Sequence, residues 1–206
     1  MGRTGVSLWV IVPLAVALVT GGWLLAQERP DAAHDSALAD AREVADELTT
    51  ELKRLLSDEL AKGGFTGAVR ICGEKAQTLA GQFNAARGAS ARRVSLRYRN
   101  RNDQPDDYER AMLERWQTLL DSKQFPKESA QVVSDAQGRK HLRYLRPIVV
   151  QAMCLTCHGN PAQIPAEVTE VIRQRYPSDL ATGYAVGDLR GAVSVRVPLD
   201  GGESAH

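Results

Sequence analysis

The chain has 206 residues, 43% of them apolar and 25% charged, with a formal net charge of +1. That size allows one ordinary domain plus an appendage, and the near-neutral balance excludes a nucleic-acid binder, which would carry a large basic excess. The cysteine count is three, an odd number, so any pairing leaves one over.

Residues 6–26 form a charge-free apolar run of 21 residues, long enough to cross a bilayer as a helix. Trp9 and Trp23 stand near its ends, where aromatic belts sit, and Arg3 precedes it, which directs the N-terminus to the cytoplasm. A cleaved signal peptide is the competing reading. Against it, the run exceeds an h-region of about 7–15 residues, and a cut after Ala26 would leave Leu24 where a small residue is preferred. The expectation is a single-pass anchor over residues 1–30 with the remainder in the periplasm. With cleavage the remainder would be free in the same compartment.

Residues 30–34 read as a short linker, and residues 35–62 as a charged helix. Leu38, Ala41, Ala45, Leu48, Leu52 and Leu55 recur at alternating spacings of 3 and 4, the seam of a heptad pattern. Such a seam is either the stripe of a helix lying on its own domain or a homodimer contact through residues 35–62. Gly63 and Gly64 stop the helix. The next one, over residues 65–86, carries Phe65, Val69, Cys72, Ala76, Leu79 and Phe83 on one stripe. By periodicity Cys72 is a small residue of a buried face, or else a thiolate ligand if a metal group packs there.

In residues 92–101, Val94, Leu96 and Tyr98 alternate with Ser95, Arg97 and Arg99, which predicts a strand with a basic face. Its arginines, Arg93, Arg97 and Arg99 among them, are either solvated or placed to hold carboxylates with the guanidinium fork. After a turn at Pro105, acidic residues open a helix over residues 106–120 with Met112, Leu113, Trp116, Leu119 and Leu120 in its core face. Residues 131–134 and 139–150 read as a hairpin across residues 135–138, with Leu142, Tyr144, Ile148 and Val150 on one face. His141 falls with Arg139 and Arg143 on a basic face and is expected to be solvated. Residues 165–175 form a short helix, residues 181–187 are turn-rich, and residues 191–198 close the pattern as a strand.

The hairpin leads directly into Cys154-Leu155-Thr156-Cys157-His158, the spacing of a c-type haem attachment site. Two thiols three apart and an imidazole four from the first lie on one side of a helical turn. There they can form two thioethers to one porphyrin while His158 binds its iron. A zinc site is disfavoured because adjacent Cys157 and His158 chelate one tetrahedral ion poorly. A thioredoxin-like pair would follow a strand of a βαβ unit and would not need the histidine. One covalent haem is expected, which agrees with an exported domain. No phosphate-binding glycine loop, nucleophile elbow or metalloprotease motif is present in the sequence.

The element order predicts a small α+β domain, an antiparallel sheet with helices around it. Several segments resemble one family in the right order: residues 71–76 (Ile-Cys-Gly-Glu-Lys-Ala), residues 93–100 with Pro105 and Glu109, residues 154–159, and residues 182–184 through 187–192. The family is the PAS-like c-type haem domain of unknown function, described structurally in a cyanobacterial protein and found as the extracytoplasmic sensor part of some histidine kinases. The resemblance implies a PAS-like sheet, with haem bound between the motif histidine and a distant cysteine. The iron ligands would then be His158 and Cys72. The domains expected are an anchor at 1–30, a linker and amphipathic helix at 31–64, the haem domain at 65–200 and a tail at 201–206. No output segment follows the haem domain in the sequence, so the expected partner is a separate redox or signalling protein. Three functions suit this: a one-electron carrier, a redox or gas (CO/NO) sensor, and, least, a thiolate-haem enzyme, which would need an open iron site.

Overall fold

In the computed structural model, which describes residues 1–2, 30–122 and 124–199, the chain folds as an α+β unit around a four-stranded sheet. The side chains at positions 30–31, 70–77, 79–80 and 82–87 lie outside that description, as do residues 6–26 and 201–206 altogether. Among the described residues no helix is long and apolar enough to cross a membrane.

The elements are α1 (Pro30–Arg87), β1 (Ser90–Val94), α2 (Asp107–Gln117), β2 (Ser129–Ser134), β3 (Lys140–Val149), α3 (Leu155–His158), α4 (Ala166–Arg175) and β4 (Leu189–Pro198). The sheet order is β1-β4-β3-β2 and every pair is antiparallel. Register places Val94 opposite Ala192, Tyr144 opposite Val195 and Ile148 opposite Gly191. Pro147 can sit in β3 because it lies beyond the end of the β2 pairing, where its missing N–H leaves no ladder bond unmade.

Both faces of the sheet are covered. On one, Ala41, Val44, Ala45 and Leu48 of α1, each at most 1% exposed, pack against Leu142, Tyr144, Val193 and Val195. Burying each Val or Leu side chain there contributes about 1.5–3 kcal/mol. The stripe expected at residues 38–55 is thus applied to the protein's own sheet, with Ala37 and Val44 added and Leu38 and Leu52 at its margin. On the other face, Met112, Leu113 and Trp116 of α2 meet Val94, Leu145 and Ala192.

α2 begins with a capping box. Asp106 accepts from the Glu109 amide at 2.8 Å and Glu109 accepts from the Asp106 amide at 2.8 Å. Glu109, 2% exposed, is neutralised by Arg92 and by Arg143. This arrangement corrects the expected basic face of β3. Arg143 and His141 are buried there, because Asp106 and Glu109 pair with the first and Asp135 with the second, at 3.2 Å.

Three further expectations change. Residues 30–34 are helical from Pro30, since proline suits the first turn of a helix. The strand expected over 92–101 ends at Val94. Beyond it the Ser95 amide donates to the Asp103 carbonyl and the Ser95 hydroxyl to the Arg190 carbonyl, so the chain folds back through a short 3-10 turn, Arg101–Asp103, instead of extending. Leu119 is exposed past the end of α2. The break expected at residues 63–64 is present as a kink within α1, with Gly64 at φ 62° and ψ −158°, in the left-handed half of φ that glycine tolerates.

Candidate functional site

A cavity of about 630 Å³ opens between α1, one end of the sheet and the turn that carries Cys154, Cys157 and His158. The kink at Gly64 lets α1 line it twice, with Leu52, Leu56 and Leu60 before the bend and Phe65, Ala68 and Val69 after it. The opposite wall is the paired ends of β1, β3 and β4, including Val94, Ile148 and Val193.

The motif turn is a 3-10 turn, Ala152–Cys154, running into α3. Cys154 and Cys157 are half-buried, and both line the cavity with His158. The Gln151 amide lies 3.4 Å from the Cys154 sulfur. Gly159 ends the turn because nothing larger fits: a Cβ there would stand 2.5 Å from the Leu155 carbonyl oxygen. The turn is tied down by two further backbone bonds, Gly183 N–H to Gly159 O at 2.6 Å and Tyr184 N–H to His158 O at 3.0 Å.

His158 is held in one tautomer. Its Nδ1 lies 2.6 Å from the Ala181 carbonyl oxygen, which can only accept, so Nδ1 carries the proton and Nε2 keeps its lone pair. Burial pushes the imidazole pKa well below the usual range, and the Arg190 and Arg99 cations act in the same direction. The ring is therefore neutral at physiological pH. Tyr184 meets it edge to face, with centroids 6.4 Å apart. A neutral imidazole with its Nδ1–H committed to a carbonyl is the form that ligates metals.

The three arginines singled out from sequence fall into different roles. Arg99, 7% exposed, forks onto Asp179 at 3.1 and 3.2 Å and donates to the Cys157 carbonyl at 2.6 Å and the Ala181 carbonyl at 3.4 Å. It joins the motif turn to the segment that orients His158. Arg93 lines the cavity, 3.7 Å from Asp103. Arg97 is not among the lining residues; it donates to the Leu180 carbonyl and lies over the Tyr184 ring at 4.3 Å. Sequence reasoning missed Arg190, which enters the cavity from the start of β4. Its signal was an arginine immediately before Gly191, whose missing Cβ allows the Val94 carbonyl to approach. Cys72 was expected opposite His158; its side chain lies outside the described residues.

Residues 26–198 match the Tll0287-like family, whose span takes in the kinked helix, the sheet and the motif turn. The chain belongs to the Tll0287-like family. The crystal structure of the cyanobacterial heme-protein Tll0287 is similar to it, with a TM-score of 0.61 and 29% identity, covering 79% of this chain and 95% of that one. Among curated proteins none matches. The Tll0287-like match ends at Pro198, the last residue of β4, so every wall of the cavity belongs to the family region.

Proposed function

We propose that this Tll0287-like protein is a membrane-anchored periplasmic haem protein that carries single electrons, with one haem attached covalently through Cys154 and Cys157. In this reading His158 and Cys72 would hold its iron, and residues 6–26 would be the anchor. The observation that carries it is the Nδ1–H of His158 given to Ala181, which leaves Nε2 as an unprotonated donor in the cavity that Cys154 and Cys157 also line. The site suits the group. Its volume is within the range of cofactor pockets, the surface it presents is mainly apolar, and its thiols and imidazole form the donor set of a c-type attachment. The family relationship to a heme-protein supports the same reading.

Bound haem supplies reversible one-electron iron chemistry. Ala181 fixes the tautomer of His158, Tyr184 restrains its ring, and Arg99 holds the motif turn against residues 179–181. Leu52, Leu56, Val94 and Val193 give the cavity apolar walls, which limits reorganisation on electron transfer. Cys72 follows Ala68 and Val69 by one helical turn, and a thiolate there stabilises the oxidised state, giving a low potential.

Two features favour a second reading, a redox or gas sensor. The sheet has its last strand in the middle, in keeping with a PAS-like arrangement. The kinked α1 also joins the cavity to the segment that follows the expected anchor, a route by which a displaced Cys72 could be reported to a separate partner. A spectroscopic redox titration separates the two readings. Six-coordinate low-spin spectra in both states with no carbon monoxide adduct support the carrier; loss of Cys72 on reduction with ready gas binding supports the sensor. An unchanged ferric spectrum in Cys72→Ala removes the thiolate assignment. Wild type that returns from the periplasm with free Cys154 and Cys157 and no haem mass adduct refutes both.

A further inference from the structure

The charges lining the cavity do not balance. Arg146 is paired with Asp46 at 2.5 Å, Arg99 with Asp179 at 3.1 Å, and Arg93 faces Asp103 at 3.7 Å. Arg190 has no carboxylate among its hydrogen-bond partners. One of its nitrogens, Nη1, donates to the Ser95 hydroxyl at 2.8 Å and to the Arg97 carbonyl at 3.2 Å. Its guanidinium carbon lies 5.5 Å from the centre of the Tyr184 ring. Among the described residues, Nε and Nη2 have no protein acceptor. The side chain is thus aimed by Ser95 and Tyr184 and leaves half of its donor fork for something else.

The groups that face it make this arrangement costly if nothing anionic arrives. Burial and the cations of Arg93 and Arg99 lower its pKa, while Tyr184 and Asp103 oppose them. Among the described residues of α1 the remaining cavity charges are Lys53 and the Asp46 already held by Arg146. A fixed guanidinium in a half-buried, cation-rich wall suits a ligand carboxylate, because a bidentate carboxylate satisfies both the charge and the remaining N–H groups.

We infer that Arg190 is the anchor for a carboxylate of the ligand in this cavity, a haem propionate, held through Nε and Nη2 while Ser95 and the Arg97 carbonyl retain Nη1. This rests on the haem reading of the site. Of Arg93, Arg97 and Arg99, the residues favoured by sequence, Arg93 and Arg99 are then supporting charges, each with its own aspartate.

The test is resonance Raman spectroscopy of the holoprotein of wild type, Arg190→Gln and Arg190→Lys, read at the propionate bending band. The band is expected to shift in Arg190→Gln and to return part of the way in Arg190→Lys, which keeps the charge but not the fork. A second readout is the pH profile of the midpoint potential. In wild type the propionate stays ionised and the profile is flat near neutrality; in Arg190→Gln its pKa rises and the profile acquires a slope. An unmoved band and an unaltered profile in Arg190→Gln, with covalent haem at the wild-type level, overturn the assignment. If Arg190→Gln does not accumulate, Arg190→Lys decides alone, since an unmoved band there overturns it equally. Wild type lacking covalent haem would instead be a failure of the haem reading, distinguishable from any failure of Arg190.

Discussion

Substituting Asp179 by alanine should be the most damaging single change away from the motif itself. Asp179 and Arg99 are 10% and 6% exposed at their side chains and meet through two bonds, at 3.1 and 3.2 Å. Asp179 also accepts from the Ala181 amide at 2.9 Å, so it secures the residue whose carbonyl orients His158. Removing the carboxylate strands a buried guanidinium near Arg93 and Arg190. Breaking one side of such a pair costs about 3–5 kcal/mol. For a chain of this length about 1 kcal/mol corresponds to about 2–4 °C, so the thermal midpoint of Asp179→Ala should fall by about 6–20 °C. The assay is thermal unfolding followed by circular dichroism, with covalent haem content measured on the same preparations. The double variant Arg99→Met/Asp179→Ala should be more stable than Asp179→Ala, because the stranded charge is gone. A loss below about 1 kcal/mol, or a double variant no better than the single, would refute the argument that this pair is buried and coupled.

Gly159→Ala should lower haem attachment sharply, since its Cβ would meet the Leu155 carbonyl at 2.5 Å and the turn must open; a wild-type haem-to-protein ratio would count against the close approach. Gly64→Ala meets no atom within 4 Å, so only the left-handed φ of 62° opposes it. The cost should be about 1–2 kcal/mol in urea unfolding, and a much larger loss would mean the kink is also packed. Asp135 gives a pH dependence. Burial acts to raise its carboxyl, but hydrogen bonds from His141, Arg139 and Gln137 outweigh it and hold the pKa well below the usual range. A depressed carboxylate contributes stability that is complete above its unfolded pKa of about 3.9 and is lost as pH falls through the folded value. Asp135→Asn should therefore flatten the decline in urea midpoint below about pH 4; identical slopes would remove Asp135 from that role. Leu113→Ala, at 1% exposure on the buried face of α2, should cost about 2–5 kcal/mol by the same measurement.

What could be read from sequence was what local spacing determines. The thiols and imidazole at 154, 157 and 158 share one turn at any tertiary arrangement, and the acidic residues from Asp106 mark the start of α2 whatever packs on it. The stripe of α1 was likewise legible, because its period is a property of one helix. Failures occurred where distant partners decide. Alternation at Val94, Leu96 and Tyr98 suggested a longer strand, but the bonds from Ser95 to Asp103 and Arg190 turned the chain aside. His141 looked solvated because Asp135 and the covering of that face by α2 are not visible in its own strand. Arg190 reaches the cavity only through the register of β4 against β1 and β3, which pairs Gly191 with Ile148. The only local mark is the Gly191 that follows it, and that glycine does not say where the side chain goes.

The position of β4 has a consequence for how the protein matures. It is the last strand of the sheet to be synthesised, yet β1 and β3 do not pair with each other and meet only through it. Its ladder with β1 joins residues about a hundred positions apart, a closure that is entropically slow relative to local helix formation. Until β4 docks, the wall carrying Arg190 and Gly191 does not exist, so the cavity that Cys154 and Cys157 line is completed only by the final strand.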